Sequence, residues 1–232
     1  MMRSCRLADR HNTVNIYSIM LTPENHQALD SLLHTASLWR GSQQQFSMSR
    51  CPSLPSGHPQ LDACLPWQGW PAHALVEILS PCWGAGELQL VLPLLRRLSM
   101  ENRWILWVAP PCMPYAPGLV MAGVNTAQII VIKADPLPTR TLWSIEKALQ
   151  SRACALVLAW PGYLSPRHIR RLQLAAATGQ TLGILFHQRN IRHSASTLRI
   201  RVESTQDALQ VTLLKVKGSY RRDSFSLMRG QT

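Results

Sequence analysis

The sequence predicts an α/β fold: a mostly parallel sheet flanked by helices, with an antiparallel C-terminal edge and an N-terminal helical extension. Three observations carry it. From about residue 73 onward, short apolar runs alternate with longer amphipathic ones, the signature of strands joined by helical crossovers. Two of the short runs, RWILWVAP (103–110) and CALVLAW (154–160), are apolar almost without a break, which suits strands buried on both faces. Near the end, 197–203 and 208–216 instead alternate polar and apolar residues, as an antiparallel pair at a sheet edge does.

Taken in order, residues 1–20 show no period and are read as disordered, or as lying ahead of a true start near Met20. Residues 21–57 form a helix and a linker. Thr22-Pro23-Glu24 offers a hydroxyl N-cap, a first-turn proline and an acid, and Ala28, Leu29, Leu32, Leu33 and Ala36 follow at helical spacing. Trp39-Arg40-Gly41 ends that helix, and the polar, proline-containing stretch 42–57 has no period. The core is expected over 58–217. Its first strand is HALVEILS (73–80), followed by a glycine-containing turn and a helix over 87–100 with Leu88, Leu92, Leu95 and Leu98 inward and Pro93 bending it. After the strand 103–110 come a helix over 115–122, the strand QIIVIKAD (128–135) and a helix over 139–151. After the strand 154–160, Ser165-Pro166 starts a helix that Gly179 stops, and TLGILFH (181–187) is a further strand. Residues 218–232 are read as a basic tail.

The chain of 232 residues carries a net charge of +12, distributed unevenly. Residues 1–57 carry +2, 58–164 carry +1, and 165–232 carry +9. Such a basic last third suits nucleic acid or an acidic protein partner, or is a solvated face. The six cysteines form no C-x-x-C pair, and the histidines are dispersed, so no zinc site and no disulfide framework is expected. His168, His187 and His193 read as surface or hydrogen-bonded residues, and no cofactor or metal is expected. No apolar run is long enough to span a membrane and no signal peptide is evident, so a cytoplasmic location is expected.

The stretch EILSPCWGAGELQL (77–90) has the outline of a phosphate-binding loop: strand, glycine turn, helix. The chemistry of such a loop needs a lysine for the phosphate charge, a hydroxyl for the metal, and an acid on a nearby strand. Here Ser80, Gly84 and Gly86 keep the turn, but the lysine position holds Glu87 and the hydroxyl position Leu88. CALVLAW ends in Ala159-Trp160 where a metal-binding acid is expected, and Pro110-Pro111 follows the strand where a catalytic glutamate could stand. A like-charge contact between Glu87 and phosphate costs about 1 kcal/mol in water at ~4 Å and several in a drier site. No nucleotide chemistry, and no other catalytic constellation, is expected.

Four segments, HPQLDACLPWQGWPAHALVEIL, SPCWGAGELQLVLPLLRRLS, RWILWVAPPCMPYAPGLVMAGV and ALQSRACALVLAWPGYLSPRHIRRLQLAAATGQTLGILFHQ, together resemble the ImuA family. These are SOS-inducible accessory proteins of bacterial translesion DNA synthesis. The resemblance implies a RecA-like core and a non-catalytic adaptor joining RecA to an ImuB-like Y-family polymerase homologue, beside an error-prone replicative-type polymerase. It supplies no catalytic residues. The middle of the pattern is also similar to SulA, which implies the alternative of a division inhibitor that binds FtsZ.

For an adaptor, the contact candidates are Trp39 and Arg40 at the end of the first helix, and Lys215, Lys217, Arg221, Arg222 and Arg229 in the basic C-terminal region; tryptophan and arginine commonly anchor interfaces. Arg167, Arg170 and Arg171, spaced i, i+3, i+4, could track DNA phosphates or form a solvated helix face.

Overall fold

A computed structural model describes residues 52–188, 194–219 and 222–228. All belong to one unit, Met48–Thr232. The expected N-terminal helix, with Trp39 and Arg40, lies outside the described residues, as do Arg221 and Arg229.

The fold is mixed α/β. Ten strands are described: β1 Ser53–Leu54, β2 Trp70–Pro71, β3 Leu75–Leu79, β4 Trp104–Val108, β5 Ile129–Ile132, β6 Cys154–Ala159, β7 Leu182–His187, β8 Leu198–Ser204, β9 Ala208–Val216 and β10 Ser224–Met228. The helices are α1 Pro59–Cys64, α2 Glu87–Leu98, α3 Ala116–Met121, α4 Pro138–Gln150 and α5 Pro166–Gly179. Strands β1 and β2 form a small antiparallel ladder. The other eight form one sheet in the order β10-β9-β8-β3-β7-β6-β4-β5. From β8 to β5 every neighbour is parallel, and β9 and β10 are added antiparallel.

Two apolar layers sandwich the sheet. Leu90, Val91, Leu94, Leu95 and Leu98 of α2 pack with Val76, Ile78, Trp107, Leu158 and Ile184 on one face. Ile145 and Leu149 of α4, with Ile169, Leu172 and Ala176 of α5, pack with Leu75, Val157 and Leu185 on the other. The alternation of these strand residues between the two clusters is the period of two expected of strands covered on both sides.

The sequence reading needs correction at two places. The pair 197–203 and 208–216 is antiparallel, but it is not the edge: β8 also pairs parallel with β3, and β10 covers β9. Pro93 lies inside α2, where the sequence placed it, and its ring packs on Gly57, where an added Cβ would come within 2.3 Å of it. Gly179 is the last helical residue of α5, and Gln180 makes the left-handed turn at φ 52°. Glycine is required at 179 because a Cβ there would lie 1.9 Å from the Leu149 carbonyl oxygen at the end of α4. The start of α5 is as read: Ser165 Oγ accepts from the His168 amide, and His168 Nδ1 accepts from the Ser165 amide.

Candidate functional site

The turn after β3 brings Ser80, Gly84, Gly86, Glu87 and Leu88 together. The Ser80 amide donates to the His187 carbonyl at 2.9 Å, and its hydroxyl donates to the Cys82 carbonyl at 2.7 Å. Gly84 and Gly86 take left-handed φ values of 81° and 100°, which a side chain would resist. Glu87 folds back: its Oε1 accepts from the Gly84 amide at 2.8 Å, and its side chain is buried. A cleft of about 350 Å³ remains beside Gly84, Gly86, Glu87, Leu88 and Gln89. The carboxylate thus takes a loop amide that would otherwise face a ligand, and it answers the positive end of α2. At the end of β6, Trp160 stacks on Phe186 with ring centres 4.6 Å apart and lies 5.4 Å from Trp107. An aromatic stack stands where the sequence comparison with phosphate loops asked for an acid.

A buried charged cluster, missed in the sequence reading, ties four strands together. Glu77 of β3 is fully buried. Its Oε2 lies 3.7 Å from His187 Nε2 of β7 and 3.6 Å from Arg199 Nε of β8, and its Oε1 accepts from the Ser194 hydroxyl. Lys215 of β9 donates from Nζ to the carbonyls of Ser194 and Ser196, both at 2.7 Å. The Lys215 ammonium is thus engaged by the chain's own backbone. Burial pushes the pKa of His187 and of Lys215 down. The signal was available: a lone glutamate in LVEIL, a strand otherwise apolar, must find a partner when buried.

The remaining cationic candidates diverge. Lys217 and Arg222 are exposed just beyond β9 and just before β10. Arg167 and Arg170 are exposed on α5, whereas Arg171 is bidentate to Glu146 of α4 and holds that carboxyl below the usual carboxylate range. Among the described residues no helix is long and apolar enough to cross a membrane, and no three His, Cys, Asp or Glu side chains are grouped as a metal site would need.

The most open feature is apolar. Helix α3 reads APGLVM and buries none of its residues. Met113, Tyr115, Val120 and Met121 are exposed at 63%, 74%, 58% and 89%. The Tyr115 ring lies over Gly118, where an added Cβ would come within 2.9 Å of it. Behind the corner, Met121, Gly123, Arg96, Leu92, Pro93 and Gly57 line a cavity of about 410 Å³. The sequence carried a hint in PPCMPYAPGLVM, which is apolar but too rich in proline to be a core helix.

The sequence model of the family described as Cell division inhibitor SulA matches residues 85–183. Cell division inhibitor SulA of Photorhabdus laumondii is 33% identical over 123 residues, 53% of this chain and 67% of that protein. That of Yersinia pestis is 32% identical over 102 residues, 44% of this chain and 60% of that protein, so the chain spans somewhat less than two thirds of this relative. The crystal structure of SulA from Pseudomonas aeruginosa is similar at 30% identity, covering 48% of this chain and 96% of that one, with a TM-score of 0.41. The sequence matches overturn the expected role as a translesion-synthesis adaptor, since the relatives they name are division inhibitors. They give no support to ImuB-like or RecA partners.

Proposed function

The chain belongs to the SulA family, and from that premise we propose that it is a non-enzymatic inhibitor of cell division, made in the SOS response, that acts in the cytoplasm by binding FtsZ. The observation that carries this reading is α3. Apolar side chains left on a surface in a contiguous patch mark an interaction site. Of the large apolar side chains exposed among the described residues, all but Met228 fall within 85–183, the segment that matches the family. Met113, Tyr115, Val120 and Met121 are the contact residues on this reading, and tyrosine and methionine are enriched at interfaces.

The closed loop agrees with a binding role, because Glu87 occupies its own Gly84 amide. We further read the core as a RecA-like fold that keeps its strand, glycine turn and helix without the chemistry. The test is assembly of purified FtsZ with GTP, followed by sedimentation. The chain is expected to prevent assembly at near-equal concentration. Val120→Glu with Met121→Glu is expected to raise the concentration needed at least tenfold while leaving the thermal melt unchanged. Normal assembly in the presence of the unaltered chain at excess would sink the reading.

A further inference from the structure

Helices α4 and α5 lie side by side on the sheet face opposite α2, and Arg171 clamps them through Glu146. Between them runs a groove of about 360 Å³, lined by Glu146, Gln150, Arg167, Arg171, Leu174 and Thr178. Ala175, nearly buried, also lines it. Trp143 stands on the same ridge of α4 as Glu146 and Gln150, at i, i+3 and i+7, and is 57% exposed. Leu174 on the α5 wall is 61% exposed. Arg170, exposed on α5, also lines the groove.

The charges are unequal. Glu146 is neutralised by Arg171, and Asp135 at the head of α4 pairs with Arg140. Arg167 and Arg170 have no acidic partner among the described residues, and Lys147 and Arg152 add exposed positive charge from α4 and the turn that follows it. The groove therefore combines free guanidinium groups with the exposed Leu174, and Trp143 stands exposed on the adjoining ridge of α4.

We propose that this groove docks an acidic, amphipathic peptide segment of a partner protein. Carboxylates of the segment meet Arg167 and Arg170, where bidentate pairing is available, and its apolar side chains cover Leu174 and Trp143. A nucleic-acid backbone fits less well. Glu146 places a carboxylate in the groove, and phosphate has no use for the apolar wall of Leu174 and Ala175. The partner is a different molecule, because residues 1–47 of this chain hold only Asp9, Glu24 and Asp30 as acids. The site is separate from α3, and it stands whether or not α3 binds FtsZ.

The test is fluorescence anisotropy with three labelled probes: a peptide of repeating Glu-Glu-Leu, a poly-Glu of the same charge, and a single-stranded DNA of the same charge. The Glu-Glu-Leu peptide is expected to bind at least tenfold more tightly than poly-Glu and more tightly than DNA. Arg167→Glu with Arg170→Glu is expected to weaken it at least tenfold. Leu174→Ser is expected to weaken it at least threefold while leaving poly-Glu binding unchanged. Tighter binding of the DNA, or peptide binding that survives both the charge reversal and Leu174→Ser, overturns the proposal. So does loss of peptide binding on Val120→Glu with Met121→Glu, which would move the peptide to α3.

Discussion

Glu77 is a single carboxylate in the middle of the sheet, facing Arg199 and His187 and bonded by the Ser194 hydroxyl. Removing it takes the carboxylate away from Arg199 and His187 in the middle of the sheet. Breaking a buried pair from one side costs about 3–5 kcal/mol. Glu77→Leu is therefore expected to lower unfolding stability by that order, read from urea titration at pH 7. The histidines set a pH dependence. Burial is the main cause that pushes both His58 and His187 below 6.5, against the raising influence of Asp62 on the first and Glu77 on the second. The unfolded chain then binds more protons than the folded one in the window below 6.5. Their contribution to stability is whole above about pH 6.5 and falls as pH drops through that value toward the lower folded values. Urea midpoints measured from pH 8 to pH 5 should decline below 6.5, and His58→Gln with His187→Gln should flatten that decline.

At the scale of elements, the approach of α5 to α4 depends on one missing side chain. Gly179→Ala forces a Cβ against the Leu149 carbonyl, a backbone group that cannot swing aside. Overpacking of this kind costs about 1–3 kcal/mol. The expected result is a melt lowered accordingly, with the proposed FtsZ inhibition retained at temperatures where the chain is folded. The elements legible in the sequence were the amphipathic helices α2, α4 and α5, the short α3, and the strands β3 to β9, with β4 and β6 as almost unbroken apolar runs. Those missed were short or masked by their neighbours. Helix α1 buries only Leu61 of its six residues, so no apolar stripe marks it. Strand β10, SFSLM, alternates as a strand should, but it sits in a run whose arginines drew the eye to charge. The buried cluster was hidden for a different reason: Glu77, His187, Arg199 and Lys215 are far apart in the chain, and only the sheet order brings them together.

For the whole molecule, the sheet reaches well past the segment 85–183 that matches the family. Its far side, β8 to β10, closes the apolar layer beneath α2, with Phe225 and Leu227 half-buried against Val211 and Leu209. A chain ending at Lys217 loses that cover. Two half-buried apolar side chains amount to roughly 2–3 kcal/mol. Such a truncation should unfold at lower urea while, on the proposed reading, keeping FtsZ inhibition, since α3 is untouched. Function was less legible than fold. Periodicity reports what is buried, and a fold hosts many functions. The adaptor reading is overturned by the matches to division inhibitors, not by any period, and exposed side chains such as Met121 and Tyr115 carry no period to read.

The carboxylate of Glu87 on the amide of Gly84 has a consequence for control. A switch protein changes state when something in its loop is exchanged. Here the occupant is the loop's own side chain, tethered beside the amide it fills. On the proposed reading the chain has no off state to return to and no fuel gauge to consult. Its effect follows its copy number, so a cell that wishes to divide again must dilute or destroy it.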